Sequence, residues 1–386
     1  MKFSLKLALM LYLVTLLATL SGVFAQTSNI TSVSSPTAVN LNSVAIVNNT
    51  TQTNNDLTAL DAWAVGDGGT ILHWNGASWS SVTSPTTDNL YSVCMVSISN
   101  GWAVGGGSNN GVILKYNGAN WTEWKQISFG VNATATDTIN ATLYAVTLSG
   151  DGKVGWAVGA GGTVLSWDGT TWYGVSNVTS TILRNVGMVH NSTDVWAVGD
   201  SGTIIHWSGT GWANVTSPTT MNLYAIEMIN ATMGWAAGGN SSNGVLLLMN
   251  QTTWSPWTKI NFSATNATNP ADKINATMYS ISMDNATSAW AVGGGGTVLY
   301  WDGNQWDGET GVASGVNLKG VAMVHGSSNG STQAWAVGEG GKILAWTGLK
   351  WVPEIPLMAI PLLLSIGLAV ALLRKTRLTK KPCFLK

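Results

Sequence analysis

Cysteine is almost missing from this 386-residue chain: Cys94 lies in its body and Cys383 near its end. Cys383 falls beyond an apolar C-terminal run, so no disulfide is expected, and Cys94 reads as a small core residue. Charge is scarce too, at 9% Asp, Glu, Lys and Arg together. Between residues 27 and 351 there is one arginine, Arg184, among nine Lys/Arg and seventeen Asp/Glu, a balance of 9 − 17 = −8. An acidic body with so few cations argues against nucleic acid as a partner. It also excludes chemistry that needs a cluster of arginines. No stretch of the body has a helical period, and no metal-ligand spacing or nucleophile motif occurs. His73 and His206 sit about 133 residues apart, and His190 and His325 about 135, so they mark repeat positions rather than one metal site. No cofactor and no metal are expected, and the chain reads as a non-enzyme.

Tryptophan and glycine are abundant instead, at 21 and 45 residues. The motif Trp-Ala-(Val/Ala)-Gly begins at Trp63, Trp102, Trp156, Trp196, Trp235, Trp290 and Trp335, seven times at roughly 40-residue spacing. In the second unit LYSVCMVS, GWAVGGG, GVILKYN and NWTEWKQ read as four short strands parted by turn residues. Four strands per repeat and no helix predict an all-β chain, a seven-bladed β-propeller of four-stranded blades. The Gly-rich stretch between strands two and three, such as Asp67-Gly68-Gly69, predicts a two-residue hairpin with positive φ. Seven tryptophans open strand two and seven open strand four, the last of these being Trp351 after a Thr347-Gly348 turn; five close strand three. All read as packing between blades, with an aromatic sugar platform as the alternative. Trp63 to Trp196 and Trp102 to Trp235 are both 133 residues, so units four to six duplicate units one to three.

The ends are of another kind. Lys2 and Lys6, the apolar run Leu7 to Leu20 and the ending Val23-Phe24-Ala25 predict a signal peptide over 1–25, with a retained N-terminal anchor as the alternative. Residues 26–36 resemble a fourth strand and can close the ring; Leu349 to Ile355 competes, but Pro353 and Pro356 lack the amide donors a strand uses. The propeller is expected over 37–352. The uncharged run within 353–373 is long enough to cross a bilayer as one helix, and the basic tail 374–386 predicts a cytoplasmic C-terminus with the propeller outside. The expected location is the cell membrane, propeller extracellular. An exported chain makes sequons meaningful: candidate glycosylation sites are Asn29, Asn49, Asn120, Asn132, Asn140, Asn177, Asn191, Asn214, Asn230, Asn261, Asn266, Asn275, Asn285 and Asn329.

The candidate binding site is the mouth of the central channel, where first strands begin. Aligned units place Tyr91, Tyr144, Arg184, Tyr224, Tyr279 and Lys319 there, with Asn42 in the first unit. Tyrosines with two cations can hold a sugar or an anionic group; packing between adjacent blades is the plainer reading. Glu227 stands out deeper, because its equivalents are Ala45, Cys94, Thr147, Gly187, Ser282 and Ala322. Asp67, Asp200 and Glu339 follow the Trp-Ala-Val-Gly motif in units one, four and seven and read as solvated turn residues.

The repeat Trp-Ala-Val-Gly-x-Gly-Gly-Thr-Ile-Leu followed by Asp/Asn-Gly-x-x-Trp resembles the photosystem II assembly and stability factor propellers, and is similar to the wider Asp-box, sialidase-like repeats. The resemblance implies a propeller and, more loosely, an assembly role at a membrane. Sialidase action would need the arginine cluster this body lacks. The ending Val352-Pro353-Glu354-Ile355-Pro356, an apolar span and basic residues look like the archaeal Pro-Glu-Phe sorting signal, with Ile355 where that family has Phe. The expected function is a non-enzymatic, membrane-anchored cell-surface propeller that binds a surface protein or a glycan or builds an envelope layer. A glycan-acting hydrolase or lyase using Glu227 and Tyr224, and an assembly factor for a membrane protein complex, are the alternatives.

Overall fold

The structure is a computed structural model that describes residues 26–47, 61–130, 137–176, 178–189, 192–262, 273–309, 312–324 and 333–351. Ser28–Gly348 forms one compact unit; Met1–Thr27 and Leu349–Lys386 form another, of which only residues 26–27 and 349–351 are described, as strand ends. The expected signal peptide, membrane helix and basic tail lie outside the described residues. Among the described residues no helix is long and apolar enough to cross a membrane.

Seven sheets, each one blade, hold the described strands. Blade one runs Leu41–Val47, Asp61–Gly66, Ile71–Trp74 and Trp79–Val82, and its pattern recurs five more times before the last blade. The first strands of successive blades lie side by side in a closed ring, with the first strand of blade seven, Leu318–Met323, beside that of blade one. Two blades carry a feature that the repeat length alone did not show. In blade three the short strand Ile127–Ser128 pairs in parallel outside Trp172–Val175, and Ile260–Asn261 does the same outside Trp306–Glu309 in blade six. Both fifth strands lie in the longer stretches that precede the first strands of units three and six, 133 residues apart.

Ring closure corrects one expectation. The N-terminal strand Gln26–Val33 is the outer strand of blade seven, next to the third strand Ile343–Trp351. That third strand runs unbroken through Thr347 and Gly348, so there is no turn there, and Trp351 ends strand three instead of opening strand four. The fourth place in the sheet is already taken by the N-terminal strand, and the chain has no reason to fold back.

Two-residue connections join strands two and three only in blades two and five, where Gly107 pairs with Asn110 and Asn240 with Asn243. In five blades the chain between strands two and three makes one turn of 3-10 helix, as at Asp67–Gly69, with Gly68 at φ +61° and Gly69 at φ +71°. Conformation is only half the reason for glycine. A Cβ on Gly69 would stand 1.9 Å from the Thr86 carbonyl oxygen in the connection to the next blade, and one on Gly202 equally close to Thr219. The turns between strands three and four follow the expected chemistry. Asp168 Oδ1 accepts from the backbone N–H of Thr170 and of Thr171, both at 2.8 Å, and the following Gly169 takes φ +97°.

The tryptophans join blade to blade. Trp102 of blade two meets Trp167 and Trp172 of blade three at centroid distances of 4.8 and 5.5 Å. Trp235 of blade five meets Trp301 and Trp306 of blade six at 5.0 and 5.2 Å. Across the closure, Trp335 of blade seven meets Trp74 and Trp79 of blade one at 4.9 and 5.3 Å. In each case the strand-two indole enters between the aromatic ends of strands three and four of the next blade. The residue opposite it often covers its other face: His73 stacks on Trp63 at 4.2 Å and His206 on Trp196 at 4.0 Å. Each histidine is bonded to an aspartate, Asp61 at 2.8 Å and Asp194 at 2.7 Å, a packing role for both. His190 and His325 lie outside the described residues.

Among the sequons, Asn120, Asn140, Asn214, Asn230, Asn275 and Asn285 are exposed. Asn261 is not: it is 3% exposed, and its Nδ2 donates to Asp307 Oδ1 at 3.1 Å, so the fold closes this sequon to a glycan. Asn29 lies in the closing strand, whereas Asn49, Asn132, Asn177, Asn191, Asn266 and Asn329 fall outside the described residues.

Trp235 is fully buried and Trp257, against it at 5.4 Å, is only partly so. Trp235→Ala is expected to cost about 3–5 kcal/mol of stability, and Trp257→Ala clearly less, measured by denaturant unfolding. Equal costs would show that the strand-two position has no special weight.

Candidate binding site at the channel mouth

Every first strand opens with a buried residue, Leu41, Leu90, Leu143, Leu183, Leu223, Met278 or Leu318, that anchors it in the core. The register then shifts at the next residue, as between Leu90 and Ser92, which leaves the second side chain out of the ladder and at the channel entrance. Six of these side chains form a continuous belt. Tyr91 and Tyr144 lie 5.3 Å apart, Arg184 stands over Tyr144 at 4.9 Å and over Tyr224 at 5.7 Å. Tyr224 and Tyr279 lie 5.6 Å apart, and Lys319 Nζ is 4.1 Å from the centre of Tyr279. The seventh place is held by Asn42, whose Nδ2 donates to the Leu90 carbonyl at 3.0 Å. All six belt residues are half-buried. They touch the neighbouring blade, as packing requires, and keep one side in solvent.

The acids are the residues the sequence reading placed wrongly. Asp67, Asp200 and Glu339 do open the turns, but as half-buried partners of the belt and not as free solvated side chains. Arg184 makes a two-pronged pair with Asp200, Nε to Oδ1 at 2.8 Å and Nη2 to Oδ2 at 2.9 Å, and this bonding raises the guanidinium above its ordinary pKa. Asn42 donates to Asp67 Oδ1 at 2.8 Å, and Lys319 stands 3.5 Å from Glu339. The amide of Asn317, then Lys319, hold the Glu339 carboxyl below its usual value. A signal for this was present in the repeats. The acid after Trp-Ala-Val-Gly occurs only in the units whose belt residue is Asn42, Arg184 or Lys319, whereas units with tyrosine have Gly106, Ala160, Gly239 or Gly294 there.

A second set of bonds fixes the entrance. Asn89, just before the first strand of blade two, accepts from the N–H of Gly68 in blade one at 2.9 Å. Asn222 does the same for Ser201 and Asn317 for Gly295, both at 2.9 Å, while Asn40 accepts from Gly340 across the closure at 3.1 Å. Each asparagine thus holds the 3-10 turn of the preceding blade. Ser201 can stand at φ +55° there because the turn is held from outside.

Deeper in the channel, serines of one first strand accept from the next: Val93 N–H donates to Ser43 Oγ at 3.3 Å and Met323 N–H to Ser282 Oγ at 3.1 Å. Glu227 shares this level with Ser282. Burial pushes its carboxyl up to about 7. Burial first, and then the Glu227 charge, push the Cys94 thiol up to about 11. Cys94 and Glu227 hold the same position in first strands three blades apart, 133 residues from each other. The other side chains at this level are Ala45, Thr147, Gly187 and Ala322, so no second carboxylate accompanies Glu227. Among the described residues no cluster of three His, Cys, Asp or Glu side chains can hold a metal.

A carboxyl at about 4.5 when unfolded and about 7 when folded binds its proton more tightly in the native state. The native state therefore loses stability relative to the unfolded chain as pH rises through that window. Glu227→Gln is expected to raise the unfolding midpoint at pH 8 by at least about 2 °C, with the gain gone at pH 4. A gain of the same size at both pH values would show that the carboxylate carries no penalty.

No family model matches the chain, and no curated protein matches it. Solved structures do. YCF48 bound to D1 peptide is 15% identical with a TM-score of 0.59, covering 83% of this chain and 96% of that one. YCF48 from Cyanidioschyzon merolae is 16% identical with a TM-score of 0.57, covering 83% and 98%. The WD40 repeats of RRP9 are 10% identical with a TM-score of 0.62, covering 84% and 99%. At such identities the likeness shows the fold: this chain is a seven-bladed β-propeller of the architecture those proteins share.

Proposed function

We propose that this protein is a non-catalytic binding propeller that docks a protein segment on the entrance face of its channel. The observation that carries the reading is the continuous belt of Tyr91, Tyr144, Arg184, Tyr224, Tyr279 and Lys319, half-buried and held by paired acids. Tyrosine and arginine offer large contact area at small entropy cost and dominate protein-binding hot spots. Because Asp200 and Glu339 offset Arg184 and Lys319, the face favours an amphipathic segment over a strongly charged one. A structural neighbour with a peptide bound shows that this fold can serve such a role. The glycan-acting hydrolase reading is weaker, since Glu227 lacks the second carboxylate that hydrolysis uses, and the lyase alternative has no observation of its own behind it. The apolar run within 353–373 and the segment 1–25 support an exported chain held at the membrane, where a docked partner would be a surface or membrane protein, and assembly of such a complex is the natural use.

The test is recovery of the full chain from its native membrane after mild cross-linking. The expected result is a reproducible protein partner whose yield falls about tenfold or more when Tyr144 and Tyr224 are both changed to Ala, as loss of hot spots predicts. Partner recovery unaffected by that change, with the unfolding midpoint also unchanged, would remove the belt from the function. The intact mass of the same preparation tests cleavage of the signal peptide: residues 26–386 are expected, and a chain still carrying 1–25 would show the retained N-terminal anchor instead.

A further inference from the structure

A cavity of about 660 Å³ opens on the entrance face where blades five, six and seven meet. Phe262 and Tyr279 supply ring surface, and Asn275, Thr297 and Asn317 supply amide and hydroxyl groups. Phe262 is held in place because Gly308 leaves it room: a Cβ there would stand 2.1 Å from the ring. Lys273 lies at the rim, exposed, and pairs with no carboxylate among the described residues.

The duplication provides an internal comparison. At the matching place between blades two, three and four the chain has Phe129, Asn140, Tyr144 and Thr163 in the same roles. Three positions differ: Thr138 stands where blade six has Lys273, Ile182 where blade seven has Asn317, and Ala160 where blade six has Gly294. Asn317 and Gly294 have structural reasons: Asn317 accepts from the Gly295 N–H and donates to Glu339, both at 2.9 Å, and a Cβ on Gly294 would stand 3.3 Å from the Asn317 Oδ1. Lys273 has none among the described residues, since the twin blades pack with Thr138 in its place.

We propose that the blade five–six–seven cavity binds the acidic unit of a polysaccharide, a hexuronate. Its carboxylate would rest on Lys273, its hydroxyls on Asn275 and Thr297, and its C–H face on aromatic ring surface. A polyol bearing one carboxylate matches a wall of hydroxyls and amides around two rings with one cation that pairs with no carboxylate among the described residues, and the volume lies in the range of small-ligand sites. A peptide carboxylate would leave most of those polar groups without a partner. The inference stands apart from protein docking on the belt, with which it shares only Tyr279.

The experiment is titration of the solubilised full chain, produced without N-glycosylation so that the Asn275 sequon is bare, with glucuronate, glucose and acetate. Saturable glucuronate binding at least about tenfold tighter than either control is expected, weakened by a similar factor in Lys273→Thr, which copies the twin. Thr138→Lys should leave binding at the original cavity unchanged. Glucuronate binding no tighter than acetate shows a bare cation, binding no tighter than glucose shows no use of the carboxylate, and binding unaltered in Lys273→Thr places the ligand elsewhere; any of the three overturns the assignment.

Discussion

The propeller rests on one contact, the insertion of a strand-two tryptophan between the aromatic ends of strands three and four of the next blade. A four-stranded sheet has two faces to cover, and here each blade covers its neighbour. The rings meet edge-on as well as tilted, as with Trp235 and Trp306 at 86° or Trp335 and Trp79 at 84°. Aromatic pairs of this kind add about 0.5–1.5 kcal/mol beyond their buried area. Many buried indole N–H groups, Trp235 and Trp335 among them, have no nitrogen or oxygen partner, and the edge-on geometry gives a ring edge an aromatic face instead. Without disulfides, closure of the circle is what makes these contacts cooperative, since the last blade cannot cover the first until the N-terminal strand completes it.

The entrance face inherits its order from that ring. Once blades are locked at their tryptophans, the connection between them must run close over the preceding 3-10 turn, and only glycine tolerates the approach of Thr86 to Gly69. Asn40, Asn89, Asn222 and Asn317 then tie the turn to the following blade. The belt residue and the acid after Trp-Ala-Val-Gly sit on either side of this tie, which is why they vary together. Tyrosine can fill its place by stacking on its neighbours. A cation or an asparagine in the same place needs a carboxylate or a carbonyl, and each has one.

Most of the fold was legible because the same problem is solved seven times in one chain. Trp63 alone would say little; seven copies at equal spacing give blade number, strand order and register. The candidate belt was legible for the same reason, through alignment of Tyr91, Tyr144, Tyr224 and Tyr279 with Arg184 and Lys319. Three things escaped. The fifth strands Ile127–Ser128 and Ile260–Asn261 lie in segments with no counterpart in other units, so alignment was blind to them. Trp351 looked like a strand-four opener because six equivalents are; only the presence of the closing strand beside Ile343–Trp351 decides otherwise. Asp67, Asp200 and Glu339 were read together as solvated turn residues but not compared with the belt position of the same unit, although their coincidence with non-tyrosine belt positions held the answer.

Duplication also shows where selection has acted on more than packing. Positions that differ between units one to three and units four to six, inside frames that are otherwise the same, are released from the shared structural demand. Cys94 and Glu227 are such a pair, equivalent in the duplication and facing one channel. A thiol raised to about 11 and a carboxyl raised to about 7 both tend to stay uncharged there, so the channel is lined by neutral groups until the carboxyl ionises near neutrality. Thr138 and Lys273 are a second pair, at the rim. The His73 and His206 pairs, by contrast, kept both their aspartates and their stacking on tryptophan through the same duplication. Packing residues were copied and held, and so were the belt tyrosines, Tyr91 with Tyr224 and Tyr144 with Tyr279, whereas Cys94 with Glu227 and Thr138 with Lys273 were copied and changed.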